Sequence, residues 1–481
     1  MSNELDISPE RFREMAIRAL EVVESYYAEL PVMPVMPVTS AQAVRDLLNE
    51  ALPREGSGIA DALTVVRDIV YPLSRHNGHP RFFGYVASPG TAVAAIGDFL
   101  AAGLNANVTS WRSAPAAAQI EHVVVDWLKS MLGYAAESQG LLVSGGSMAN
   151  FSALAAARAA ADPEIARVGN TGKSALRIYV SAEGHFSIHK AARLLGVGSE
   201  NVVSISTDAS QRIDTAELDR RIDADRQAGL RPMCVVANAG TVNTGAFDSL
   251  EQLAGIAERH DVWLHVDGAY GGFAALAASA KHLFVGIERA NSVSLDPHKW
   301  LYSSVGCGCV LYRDPSMAAA AFSHDAEYTR PIGLSRDEAF AFWDFGPELS
   351  RPFRALTVWL QLKLYGSRRL ENAIESNLAC ARYFGTLVES AEDFELLAPV
   401  GLSIFCFRYN PPIYAGDLNT LNESILIELQ RAGSSYLSNT TVAGKFALRG
   451  CVLNYRTTLT DMKRLLDDFR AAAREFHISR R

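Results

Sequence analysis

Between about residue 80 and residue 315 the chain alternates short, continuously apolar runs with helical stretches. No other feature limits its fold as strongly. The runs lie at 140–143, 175–180, 202–206, 233–237, 262–266, 292–295 and 308–311. Helical patterns separate them, as at 116–131, 148–161 and 187–195. A strand apolar on both faces has to be covered on both faces, and strands joined through helices pair in parallel. The expected fold class is therefore α/β, with a mostly parallel sheet in a large domain. Such sheets bind ligands beyond the carboxyl ends of their strands.

The flanks read differently. Ser8-Pro9-Glu10 is a cap followed by proline at the first helical position, so a helix is expected from 8 to about 28. Pro31-Val32-Met33-Pro34-Val35-Met36-Pro37 excludes both helix and central strand and reads as an extended connector. Two further helices follow at 41–49 and 59–71. The segment 1–80 carries little core of its own and is expected to pack on a second subunit. A polar, glycine-poor stretch spans 323–348, and a long helix starts near Pro352. Strands at 402–408 and 448–454 and a final helix at 459–476 suggest a small C-terminal α+β domain. The expected division is 1–80, 81–365 and 366–481.

Composition removes several classes. The net charge of −8, with no block of like charges, offers no nucleic-acid surface. The first residues are polar and charged with no basic start before an apolar run, and apolar runs such as 93–104 are too short to span a bilayer. Six scattered cysteines in apolar strings suit reduced thiols, so the cytoplasm is the expected location. Cys307 and Cys309 share a strand face without the turn a redox pair uses. His185 and His189 are four apart, but no glutamate lies between them and no cysteine lies nearby, so no metal site is expected.

Two strings carry the chemistry. Lys299 ends an apolar stretch in Asp296-Pro297-His298-Lys299-Trp300, where partial desolvation would free its amine to condense with a carbonyl. Asp267 ends the apolar run 262–266 and can hold a cationic ring nitrogen; His265, two residues back, supports it from the same face. Together they are the two anchors of a pyridoxal 5'-phosphate (PLP) site. Ser144-Gly145-Gly146-Ser147 is a strand, glycine turn and helix start, with Ser147 as the expected cap and the free N–H groups facing a phosphate. His185, between a strand and a helix, offers a flat ring for stacking.

In their order and spacing these strings resemble the group II PLP-dependent amino-acid decarboxylases, the aromatic L-amino-acid decarboxylase family. The resemblance covers nearly the whole chain and includes Asn77-Gly78-His79-Pro80-Arg81-Phe82-Phe83-Gly84-Tyr85, the stretch from Trp111 to Trp127, and Asn454-Tyr455-Arg456-Thr457-Thr458. It implies a type I, aspartate aminotransferase-like fold and a homodimer. It makes Lys299 the Schiff-base lysine and Asp267 the pyridinium partner. Ala269 and His185 would lie against the two ring faces. Gly146, Ser147 and His298 would contact the phosphate, and Thr241 would line the cofactor. Tyr328 matches the mobile-loop tyrosine that returns a proton after carbon dioxide leaves. The implied reaction is decarboxylation of an L-amino acid. An aromatic substrate is favoured by Phe82-Phe83-Gly84-Tyr85 and by the absence of a basic cluster for an acidic side chain. Glutamate and diaminobutyrate are alternative substrates. An aldehyde synthase is an alternative outcome, although such enzymes commonly replace the loop tyrosine that this chain keeps. A cofactor-binding protein without turnover is the reading from another class. The chain departs from the family at Ala114-Pro115-Ala116-Ala117-Ala118-Gln119-Ile120-Glu121, where two hydroxyls and a carboxylate are missing, and at Gly268, commonly alanine.

Overall fold

The computed structural model of the chain describes residues 5–170, 173–324, 335 and 337–479. All seven expected strands are present: β1 (Gln139–Val143), β2 (Leu176–Ser181), β3 (Val202–Ile205), β4 (Arg231–Asn238), β5 (Trp263–Gly268), β6 (Ser292–Leu295) and β7 (Gly308–Tyr312). They form one sheet in the order β1-β7-β6-β5-β4-β2-β3. Pairs from β3 to β6 are parallel, while β7 lies antiparallel between β6 and β1. The central strands β5 and β6 are buried along their whole length, as their unbroken apolarity requires. The helix Gly146–Ala161 crosses β4 to β7. Alanines at 149, 153, 156 and 157 form its buried face and bring its axis close to the sheet.

Register places the polar ends of the strands. Asn238 pairs with Asp267, and Asp267 with Ser294. Three polar side chains thus stand side by side at the carboxyl ends of β4, β5 and β6, where an α/β sheet binds ligands.

The C-terminal part adds β8 (Phe394–Leu396), β9 (Ile404–Tyr409), β10 (Ser438–Val442) and β11 (Lys445–Cys451), an antiparallel sheet in the order β10-β11-β9-β8. A second apolar core, with Phe384, Phe405, Phe407 and Phe469 at its centre, lies beneath it. The strand expected at 402–408 begins at Ile404 instead, because Leu402 takes a left-handed turn conformation (φ 49°). The strand expected at 448–454 runs three residues earlier, as one arm of a tight hairpin. Ala443 and Gly444 both have positive φ there, the geometry that two-residue hairpins favour. The long helix Arg354–Glu389 is interrupted at Gly366 (φ 68°, ψ 164°). All six cysteines are buried and free. Among the described residues no helix is long and apolar enough to cross a membrane.

One buried ion pair locks the sheet edge to its surroundings. Glu121, on the helix Pro115–Leu132, pairs with Arg351, and both side chains are fully buried. The same carboxylate accepts the N–H of Leu142 at 2.9 Å. The guanidinium donates to the carbonyls of Val108 (2.7 Å) and Leu142 (2.8 Å) and lies 4.2 Å from the centre of the Phe342 ring. Removing one partner leaves a buried charge without compensation. Arg351→Leu is expected to cost about 3–5 kcal/mol of unfolding free energy, and Glu121→Leu in the same chain to restore part of it. Urea denaturation of the two proteins measures this; a single variant within 1 kcal/mol of wild type (roughly the scale of an exposed pair) contradicts it.

Candidate active site

A cavity of about 290 Å³ opens at the carboxyl ends of the central strands. That lies at the lower edge of the range for small-molecule sites. Every sequence-nominated residue that the structure describes lines it: Gly146, Ser147, His185, Thr241, Asp267, Ala269, His298 and Lys299. Tyr328 lies outside the described residues.

Asp267 is buried at the end of β5, and its carboxylate is fully engaged. Oδ2 accepts from Asn150 Nδ2 at 2.8 Å; Oδ1 accepts from Ser294 Oγ and from the Ala269 N–H, both at 3.2 Å. These donors hold an anion in place without a cation, and leave the carboxylate's charge available to a cationic group in the cavity.

Lys299 sits on a one-turn helix, Pro297–Trp300, that links β6 to β7. Its ammonium pairs with Asp296 Oδ2 at 2.8 Å. The amine thus has a carboxylate beside it, which the apolar character of its string did not announce. Asp296 lies three residues back on the same turn, so its side chain falls beside the lysine. Asp296 Oδ1 is buried without a partner. His298 donates Nδ1–H to the Cys307 carbonyl at 2.7 Å, which leaves Nε2 toward Asp296, 3.8 Å away.

The glycine turn packs directly beside the lysine turn. The helix Gly146–Ala161 has Gly145 as its N-cap, with no side-chain capping bond, so Ser147 is not the expected cap but the second helical residue. Its hydroxyl and the uncapped N–H groups of the first turn remain for an anion. The backbone approach is close: a Cβ on Gly146 would lie 2.7 Å from the Ala269 Cβ and 2.8 Å from Asp296 Oδ2. A Cβ on Gly308 would lie 2.5 Å from Gly145 Cα, so β7 needs glycine to pass this turn. Gly268 is similarly constrained, since an alanine Cβ would meet the Ser294 carbonyl oxygen at 2.8 Å.

His185 contacts Ser187 Oγ through Nδ1 at 2.8 Å. Burial holds its pKa below the usual histidine value. Thr241 is buried, accepts the Ala246 N–H at 3.1 Å and shares a hydroxyl contact with Thr244 at 3.1 Å. Asn150 and Asp296 are site residues that sequence reasoning did not single out. The one lay unassigned in a helix, the other inside the lysine string, and only packing reveals what they touch. Phe82 and Phe83 are buried core residues, outside the cavity lining, so they give no support for an aromatic substrate. Ala114, Ala118 and Gln119 also lie outside the lining.

The groups present fit PLP: an amine, an engaged carboxylate at a strand end, a flat imidazole and an uncapped glycine turn share one cavity. The sequence comparisons agree. The pyridoxal-dependent decarboxylase conserved domain matches residues 41–410, and the chain belongs to that family. It is 36% identical over 481 residues to an aromatic-L-amino-acid decarboxylase of Bacillus atrophaeus, covering 100% of this chain and 99% of that one. It is 31% identical to a phenylacetaldehyde synthase of a Rosa hybrid cultivar, over 96% of this chain and 93% of that one. The crystal structure of Oryza sativa TDC with PLP and tryptamine superposes with a TM-score of 0.92 at 28% identity, covering 99% of this chain and 100% of that one. The fold is the type I PLP fold, and the protein is a PLP-dependent amino-acid decarboxylase.

Two expectations follow. Gly146→Ala should weaken PLP binding at least tenfold while the protein stays folded, because the added methyl group displaces either Ala269 or Asp296; fluorescence titration of the cofactor-free protein reads this. Burial also pushes His265 down to about 4. The unfolded histidine takes a proton below about 6.5 that the folded one refuses. Stability should therefore fall as pH drops from about 6.5 to about 4. His79, also held at about 4, adds to this. Unfolding midpoints across that window should fall less steeply in His265→Gln; identical slopes in both proteins contradict it.

Proposed function

We propose that the protein decarboxylates an aromatic L-amino acid, of the DOPA, tyrosine or tryptophan type, to the amine and carbon dioxide. The observation that carries the site assignment is the convergence of the Lys299 amine and the Asp267 carboxylate on one cavity with the glycine turn. The aromatic substrate class rests on the relatives, whose names include aromatic-L-amino-acid, tyrosine and tryptophan decarboxylases.

In this reading Lys299 tethers the cofactor, and bound PLP supplies the electron sink for loss of the carboxylate. Asp267 keeps the ring nitrogen protonated. Ala269 and His185 hold the ring between them, and Thr241 lines it. Gly146 and Ser147 offer N–H and hydroxyl donors to the phosphate, with His298 beside them. Tyr328 returns the proton to Cα. An aldehyde synthase outcome is the second reading; relatives such as the Rosa enzyme favour it, and the retained tyrosine opposes it.

The working unit in this proposal is a cytoplasmic homodimer with the three segments 1–80, 81–365 and 366–481. Support comes from the helix Pro9–Glu29, which has no buried residue of its own and exposes Phe12, Ile17 and Leu20, with Phe12 stacked on the exposed Phe99; Leu100 and Leu104 on the helix of Phe99 are exposed as well. The free thiols suit a reducing compartment.

The test is incubation with the standard amino acids, DOPA and diaminobutyrate, with products read by mass spectrometry and peroxide assayed in parallel. Amines from aromatic substrates without peroxide, and none from Lys299→Ala, are expected. Peroxide in step with product selects the second reading; undiminished turnover in Lys299→Ala sinks both.

A further inference from the structure

Beneath the cavity floor runs a chain of hydrogen bonds whose direction can be read from its members. Trp263 Nε1 is donor-only and meets Ser292 Oγ at 2.8 Å. Ser292 Oγ also meets His265 Nδ1 at 2.9 Å, and a hydroxyl that has accepted once can still accept or donate there, so the direction is set from the other end. Asn150 Oδ1 meets His265 Nε2 at 2.9 Å. The two N–H groups of the same amide serve Asp267 Oδ2 at 2.8 Å and Ser187 Oγ at 2.9 Å, and the carboxylate, which only accepts, fixes that orientation; neutral His265 therefore carries its proton on Nε2 and receives the Ser292 hydroxyl at Nδ1. The reversed amide would set its oxygen against the Asp267 carboxylate. Ser187 Oγ, accepting from Asn150, meets His185 Nδ1 at 2.8 Å.

The far end is fixed separately. The backbone N–H of Ser187, another donor-only group, points to the same His185 Nδ1 at 3.3 Å. That N–H leaves His185 Nδ1 bare and, in the neutral ring, Nε2 protonated, so Ser187 donates its hydroxyl proton there. Asn150, His265 and Ser292 are each at most 1% exposed, so water does not compete for these bonds.

We propose that Asn150 is a positioning residue that couples two groups of the site. It orients the Asp267 carboxylate on one branch and, through Ser187, holds His185 as the Nε2–H tautomer on the other. The proposal rests on the assignment of Asp267 and His185 as cofactor contacts. It adds that one amide, oriented between the Asp267 carboxylate and His265, bears on both.

The experiment uses the full chain labelled with nitrogen-15 histidine, the His185 resonances being identified by their loss in His185→Gln. Wild type should show the Nε2–H tautomer at His185. Asn150→Leu should raise the PLP dissociation constant about tenfold or more, the scale of one hydrogen bond to a charged group, and release His185 into a mixture of tautomers. Ser187→Ala cuts one branch only; with just the longer backbone N–H bond left on Nδ1, it should raise the share of the Nδ1–H tautomer while changing PLP affinity less than about threefold, and it decides the matter should Asn150→Leu not fold. An Nδ1–H tautomer in wild type, or unchanged affinity and tautomer in a folded Asn150→Leu, overturns the proposal. Asp267→Ala separates this from the underlying assignment. If it binds PLP as tightly as wild type, the assignment itself fails. If it loses binding while Asn150→Leu does not, only the role of Asn150 fails.

Discussion

A carboxylate buried at the end of a central strand is the constraint on which the rest of the site depends. Among the described residues no cation is paired with Asp267; three neutral donors hold it instead. Burying a charge in this way is costly unless every acceptor position is met. The surrounding sequence supplies three donors from three places, the helix after the glycine turn, strand β6 and the residue two positions on, and leaves a further lone pair toward the cavity. The site is therefore a property of the sheet's register as much as of its residues. A slip of one position between β5 and β6 would turn Ser294 to the opposite face and remove a donor.

Lys299 follows a different logic. It is carried on a single helical turn between a parallel and an antiparallel strand, and its charge is balanced by a neighbour three residues back. Asp296 keeps the amine in place, and it also sets a carboxylate beside the turn where a phosphate would lie. Two anions around one ammonium make the balance of charge here sensitive to any change at 296 or 299.

Much of this was legible in the sequence. Continuous apolarity marked the seven strands, because burial on both faces leaves no room for alternation. The lysine and aspartate strings named their own chemistry. What escaped notice shares a physical character. β10 reads Ser-Asn-Thr-Thr-Val and has almost no apolar signal, since its stability comes from pairing in a hairpin rather than from burial. Asn150 lies one position after a buried alanine in a helix and looks like any other polar residue there. Two of its partners, His265 and Asp267, come from a strand more than a hundred residues away, and no local pattern announces them. Phe82 and Phe83 misled in the opposite direction: large aromatic side chains near a family motif suggested a substrate surface, whereas ordinary core packing claims them.

The placement of β7 carries a consequence for how the molecule is made. The strand that precedes the glycine turn is first in sequence, yet its hydrogen-bonding neighbour is the last strand of the sheet, which also follows the lysine. The two walls of the cavity thus come from opposite ends of the large sheet's sequence. A chain emerging from the ribosome holds the glycine turn early but has nothing for it to face until β7 arrives. Contacts of such long sequence separation form slowly, so coenzyme capture belongs to the closing moments of folding, and a nascent chain lacking β7 has no complete seat to offer.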